Sequence, residues 1–149
     1  MGQLEPITIL LVEDDPAEQK LIKTSLKYQR IANDLRIVNS GEEALDFLYH
    51  RGNYAKDTSL PDLVLLDLNM PGMGGKEFLK RIKDDENLKQ IPVVILTTSE
   101  SERDIIDSYK LQASGYVSKP VTLDEFKEVM KRIEEYWFVV CKRPPKQEQ

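Results

Sequence analysis

Short apolar runs recur along the chain at 7–12 (ITILLV), 35–38 (LRIV), 63–68 (LVLLDL), 93–96 (VVIL) and 115–118 (GYVS). Between them lie polar segments whose apolar residues return every three or four positions, as in Ala44, Leu45, Phe47 and Leu48, or Phe78, Leu79 and Ile82. The first pattern predicts strands and the second amphipathic helices, so strand and helix alternate. The runs beginning at 7, 63 and 93 are apolar on consecutive residues, as a parallel strand covered on both faces requires. Five βα units around a parallel, doubly wound sheet follow as the predicted architecture, with fold class α/β.

Local punctuation agrees with this pattern. Pro16 stands at a first helical turn. Ser40 precedes GEEALDFL with Glu43 three residues on, and Thr122 precedes LDEFKEVMKRI with Glu125 in the same relation, so both read as capping boxes. We expect residues 1–6 to form an extension, 7–141 one domain, and 142–149 (KRPPKQEQ) a disordered tail. The stretch 50–60 (HRGNYAKDTSL) is a long polar connection.

At 149 residues one domain can bury a continuous core without disulfides or metal staples. The net charge of -5 is spread along the sequence, which argues against a nucleic-acid or anionic-membrane surface. Cys141 is the only cysteine and His50 the only histidine, so a multi-cysteine or His-His metal site is excluded and a reducing, cytoplasmic setting is expected. His50, beside Arg51, is predicted to be a helix-terminal surface residue. The N-terminal apolar run is too short for a signal peptide or membrane span, and Pro6 stands where N-myristoylation wants Ser or Thr.

In an open parallel sheet, ligands bind beyond the carboxyl ends of the strands. The runs end in Glu13, Asp14 and Asp15; in Asp67; in Thr97 and Thr98; and in Lys119. Asp67 follows Asp14 by 53 residues, Thr97 follows Asp67 by 30, and Lys119 follows Thr97 by 22, which fits two βα repeats and then one each. Carboxylates crowded at one edge repel, and a hard divalent cation relieves them; oxygen-only ligands select Mg²⁺ or Mn²⁺. Asp14 and Asp67 are the expected side-chain ligands, with Glu13 or Asp15 acting directly or through water and Asn69 offering its carbonyl. A metal, the Lys119 ammonium and the Thr97 hydroxyl converging on Asp67 suit phosphoryl transfer to that carboxylate. Taken singly, each of these residues is more often a turn, cap or surface residue. Their joint placement on one edge carries the functional reading.

The motifs ILLVEDDP, LVLLDLNMPGMGG, IPVVILTTS and GYVSKPV, spanning about residues 7–135, resemble the receiver domain of two-component response regulators. The resemblance implies a flavodoxin-like five-stranded sheet in order 2-1-3-4-5 with five helices. It implies Asp67 as phospho-acceptor, Glu13 and Asp14 as the acidic pair, and a main-chain metal contact from Asn69. It makes Thr97, with Thr98 beside it, the switch and phosphate contact, Tyr116 the rotating aromatic, and Lys119 the lysine before Pro120. Phosphate then comes from a histidine kinase, so the shortage of histidine here is expected. The 50–60 connection and the tail IEEYWFVVCKRPP are similar to the small regulators paired with cyanobacterial phytochrome kinases.

Output is expected through a docked effector or an onward phosphotransfer protein. Phe126, Val129, Met130, Ile133 and Trp137 form one stripe, and Tyr136, Phe138, Val139 and Val140 make the helix end apolar nearly all round. Either this end folds back on the sheet edge or it forms a homodimer face; sedimentation with and without residues 134–149 decides, a monomer in both contradicting the dimer. An Mg²⁺-dependent phosphatase with an Asp nucleophile is the enzyme alternative, but it wants an acid where Asn69 stands. An unphosphorylated scaffold is the binding alternative, and the intact Asp14, Asp67, Thr97 and Lys119 set counts against it. A flavodoxin-like nucleotide binder wants a Gly- or Ser/Thr-rich loop where the chain has EDDP.

Overall fold

The computed structural model describes residues 7–27, 33–56, 60–68, 70, 72–97 and 115–118, together with 124, 128 and 131. Strands β1 (Ile7–Val12), β2 (Asn33–Val38), β3 (Leu63–Asp67), β4 (Val93–Thr97) and β5 (Gly115–Ser118) alternate with helices α1 (Pro16–Leu26), α2 (Gly41–Leu48) and α3 (Gly74–Lys83). All pairings are parallel and the sheet order is β2-β1-β3-β4-β5, as expected. Asp124, Glu128 and Lys131 are helical and exposed, at a spacing that places them on one helix face. The apolar C-terminal stripe, Phe126, Val129, Met130, Ile133 and Trp137, lies outside the described residues.

Consecutive apolar residues occur because two cores need them. On one face, Leu10, Val12, Val64, Leu66, Val93 and Ile95 pack with residues of α2 and α3 such as Phe47, Phe78 and Ile82. On the other, Ile7, Ile9, Leu11, Leu63, Leu65, Val94 and Leu96 pack with Ile22 and Leu26 of α1. Side chains alternate along β1, β3 and β4, so their apolar residues meet one layer or the other in turn.

Capping chemistry sets the helix starts. Asp15 accepts the Ala17 N–H at 2.9 Å ahead of Pro16, and Ser40 Oγ accepts the Glu43 N–H at 3.0 Å. Glu43 Oε1 completes the Ser40 box from one residue further back than expected, accepting the Asn39 N–H at 2.9 Å. His50 stands at the end of α2, as expected. Arg51 N–H donates to the Asp46 carbonyl (2.8 Å) and His50 N–H to the Phe47 carbonyl (3.3 Å), a Schellman closure in which His50 takes φ 57°. His50 is thus half-buried rather than a simple surface residue.

A β-carbon in the left-handed region costs about 1–2 kcal/mol, partly offset by the entropy that glycine loses on folding. His50→Gly is therefore expected to stabilise the fold by about 1 kcal/mol, raising the thermal midpoint by about 2–4 °C. A lowered midpoint would show that the imidazole's packing outweighs the backbone strain.

The 50–60 connection contains a 3₁₀ turn, Gly52–Tyr54. The Tyr54 ring meets Phe47 edge-on, with centroids 5.3 Å apart at 77°, and its hydroxyl donates to Glu43 Oε2 at 2.6 Å. Burial, and then this bond to a carboxylate, push the Tyr54 phenol up from 10.0 to about 12. A raised folded value means that the contribution to stability is complete below pH 10 and is lost as the pH climbs through about 12. Tyr54→Phe should remove that alkaline loss and delete one late step from the phenolate absorbance titration. Tyr49, raised chiefly by its hydrogen bond to Asp85, should still titrate late. Identical titrations of the two proteins would contradict the assignment.

Candidate functional site

Register and alternation alone bring the first two acids together. Ile9 pairs with Leu63 and Leu11 with Leu65, so the same-face rows Ile9, Leu11, Glu13 and Leu63, Leu65, Asp67 run side by side. Each ends in a carboxylate at the carboxyl edge of the sheet. Glu13 is fully buried, Asp67 is 2% exposed and Asp14 is exposed. One carboxylate oxygen from each of the three lies within 4.8 Å of those from the other two. This oxygen-only group suits a hard divalent cation, which would offset the repulsion among grouped carboxylates. Asp15 lies outside this group, and its Oδ1 accepts the Ala17 N–H to cap α1.

Backbone bonds fix the surroundings. Glu13 N–H donates to the Val38 carbonyl at 3.1 Å, and Asp15 N–H donates to Glu13 Oε2 at 3.1 Å. Gln19 Nε2 donates both to the Glu13 carbonyl and to Asn39 Oδ1, the latter at 2.8 Å. On the other side of the site, Asp67 pairs with Leu96, and Leu68 N–H donates to the Leu96 carbonyl at 3.1 Å.

The turn after Asp67 is closed by two further contacts. Gly75 N–H donates to the Leu68 carbonyl at 3.2 Å, and a β-carbon at Gly75 would lie 2.5 Å from the Asp67 carbonyl oxygen and 2.6 Å from Leu68 Cα. The first turn of α3 therefore rests directly on the main chain that carries Asp67. Glu42 Oε2, from α2, accepts the Met73 N–H at 3.2 Å and ties the turn down from outside.

Of the residues expected at the site, Glu13, Asp14 and Asp67 converge. Thr97 closes β4 beside the Asp67–Leu96 pair, and Tyr116 lies in β5 opposite Ile95, both placed by their backbones. Asn69, Thr98 and Lys119 lie outside the described residues. Gln19, Glu42 and Gly75 were not foreseen. Their only sequence signals were a polar residue one turn into α1, a second acid at the start of α2, and the doubled glycine after Met73.

The response regulator receiver domain family matches residues 9–131. The chain belongs to this family. The receiver is 40% identical over 139 residues to the response regulator Rcp1 of Synechocystis sp., covering 93% of this chain and 94% of that protein. It resembles the crystal structure of the phosphorylated cyanobacterial phytochrome response regulator RcpA with a TM-score of 0.79 at 41% identity, over 91% of this chain and 96% of that one. The Mn²⁺-bound form of Rcp1 gives the same TM-score, 0.79, at 40% identity, over 93% and 99% of the two chains. Among the described residues, no helix of the receiver is long and apolar enough to cross a membrane.

Proposed function

We propose that this receiver accepts a phosphoryl group on Asp67 from the phosphohistidine of a phytochrome-type histidine kinase. The observation that carries the reading is the Glu13, Asp14 and Asp67 oxygen cluster at the carboxyl edge of β1 and β3. Two similar regulators, one seen phosphorylated and one with Mn²⁺ bound, support the same reading. Glu13, Asp14 and Asp67, with the Asn69 carbonyl, would hold Mg²⁺ or Mn²⁺.

An Asp67 carboxylate oxygen attacks phosphorus in line with the departing imidazole. The P–O bond forms as the P–N bond breaks, and the bond's electron pair stays on the imidazole nitrogen, which takes a proton from solvent. The bound cation would offset negative charge on the phosphoryl oxygens. Burial of Asp67 at a strand end holds the nucleophile in one orientation, so little ordering is left to the encounter. Thr97 and Thr98 contact the phosphoryl oxygens, Lys119 neutralises one of them, and Tyr116 repacks as Thr97 moves, reshaping the face offered to an effector. The phosphoryl group need only bias two existing states by a few kcal/mol. The protein acts as a cytoplasmic phospho-acceptor rather than as a turnover enzyme.

Incubation with a small phosphodonor tests the metal's part in this reading. Phosphate-sensitive gels should show a shifted band in Mg²⁺ and none after chelation with EDTA. Equal labelling in both would contradict the proposed role of the acid cluster.

A further inference from the structure

We propose that the 3₁₀ turn Gly52–Tyr54 positions Glu13 through a hydrogen-bond relay running from the Tyr54 hydroxyl through the Glu43 carboxylate, the Asn39 backbone N–H and side chain, and the Gln19 amide to the Glu13 carbonyl. The inference rests on the reading of Glu13, Asp14 and Asp67 as a divalent-cation site, and it gives the 50–60 connection a role in that site.

Each link is a directed hydrogen bond. Tyr54 Oη donates to Glu43 Oε2 at 2.6 Å, while Glu43 Oε1 accepts the Asn39 N–H at 2.9 Å, so both carboxylate oxygens are engaged. Asn39 Oδ1 accepts from Gln19 Nε2 at 2.8 Å, and the same amide nitrogen donates to the Glu13 carbonyl. Glu13 N–H meanwhile donates to the Val38 carbonyl. Both peptide planes of Glu13 are therefore held by the end of β2, one directly and one through Gln19. A buried carboxylate can be aimed only as well as the main chain that carries it.

The far end of the relay is fixed as well. Tyr54 is packed edge-on against the fully buried Phe47, which leaves its hydroxyl little choice of position. Chains of hydrogen bonds that include a carboxylate strengthen one another, so cutting one end weakens the other. Glu43 also caps α2, and a purely structural role would confine the loss of Tyr54 to helix stability. The relay makes a different demand: loss of one phenol oxygen must be felt at Glu13.

The test uses the full chain, with Mn²⁺ binding followed by calorimetry and the Asp15 backbone amide by NMR, since that N–H donates to Glu13 Oε2. Gln19→Ala is expected to weaken Mn²⁺ binding by about 10-fold, as loss of an outer-shell support does. Tyr54→Phe should weaken it less, with the Asp15 amide shifting in the metal-free state in both variants. Adding Tyr54→Phe to Gln19→Ala should change Mn²⁺ affinity no further, because the relay is already cut. Unchanged affinity and an unmoved Asp15 amide in Tyr54→Phe, even with a lowered thermal midpoint, would overturn the relay. Additive losses would overturn it too. Failure of the unsubstituted chain to bind Mn²⁺ would instead overturn the cation-site reading, and the relay would then stand or fall on the Asp15 amide shift.

Discussion

Asp67→Asn is expected to abolish labelling by a small phosphodonor while leaving the fold intact. The amide has nearly the carboxylate's shape and fits the same 2% exposed position at the end of β3. It lacks the charged oxygen that must attack phosphorus. Removing one charge from three carboxylates grouped within 4.8 Å also relieves repulsion, so the metal-free thermal midpoint should not fall. Loss of labelling together with a collapsed far-UV spectrum would mean that folding, rather than chemistry, had been removed. Undiminished labelling of a folded Asp67→Asn protein would mean that another residue accepts the group.

Gly75→Ala should be nearly as damaging, for a steric reason. The new β-carbon would approach the Asp67 carbonyl oxygen to 2.5 Å and Leu68 Cα to 2.6 Å, and both are backbone atoms that cannot rotate away. Either β3 or α3 must move, at a cost of about 3 kcal/mol, and Asp67 moves with β3. Displacing a nucleophile by about 1 Å can lower its rate by about 100-fold, and labelling should slow on that scale. Gly74 is the control. Its φ of 82° makes alanine strained, but no atom lies within 4 Å of the added carbon. Gly74→Ala should therefore lower the thermal midpoint with little change in labelling rate. Equal labelling by Gly75→Ala and the unsubstituted chain would show that the close packing of α3 on Asp67 is not needed at the site.

The strands were legible because their apolar runs serve two cores at once. Leu63, Val64, Leu65 and Leu66 can all be apolar only where helices cover both faces, and that is where β3 lies. Asp67, as the first carboxylate after such a run, was visible for the same reason. The role of Glu13 depended on strand register, which spacing brackets without specifying; the pairing of Leu11 with Leu65 is what sets Glu13 beside Asp67. Asp15 illustrates the limit of composition: it belongs to the acidic run, yet its side chain caps α1. Gln19, Glu42 and Tyr54 act through contacts across 20, 31 and 11 residues, and local patterns carry no signal for such pairs. Gly75 was readable as part of a turn, but its need to lack a β-carbon arises from the main chain of another element.

The most direct measurement is chemical mapping of the phosphoryl group. After reaction with a phosphodonor in Mg²⁺, borohydride reduces an aspartyl phosphate to homoserine, and peptide mass spectrometry locates the converted residue. The account predicts homoserine at position 67 and none in a sample incubated without phosphodonor. Conversion at another acidic residue, with Asp67 intact, would contradict it.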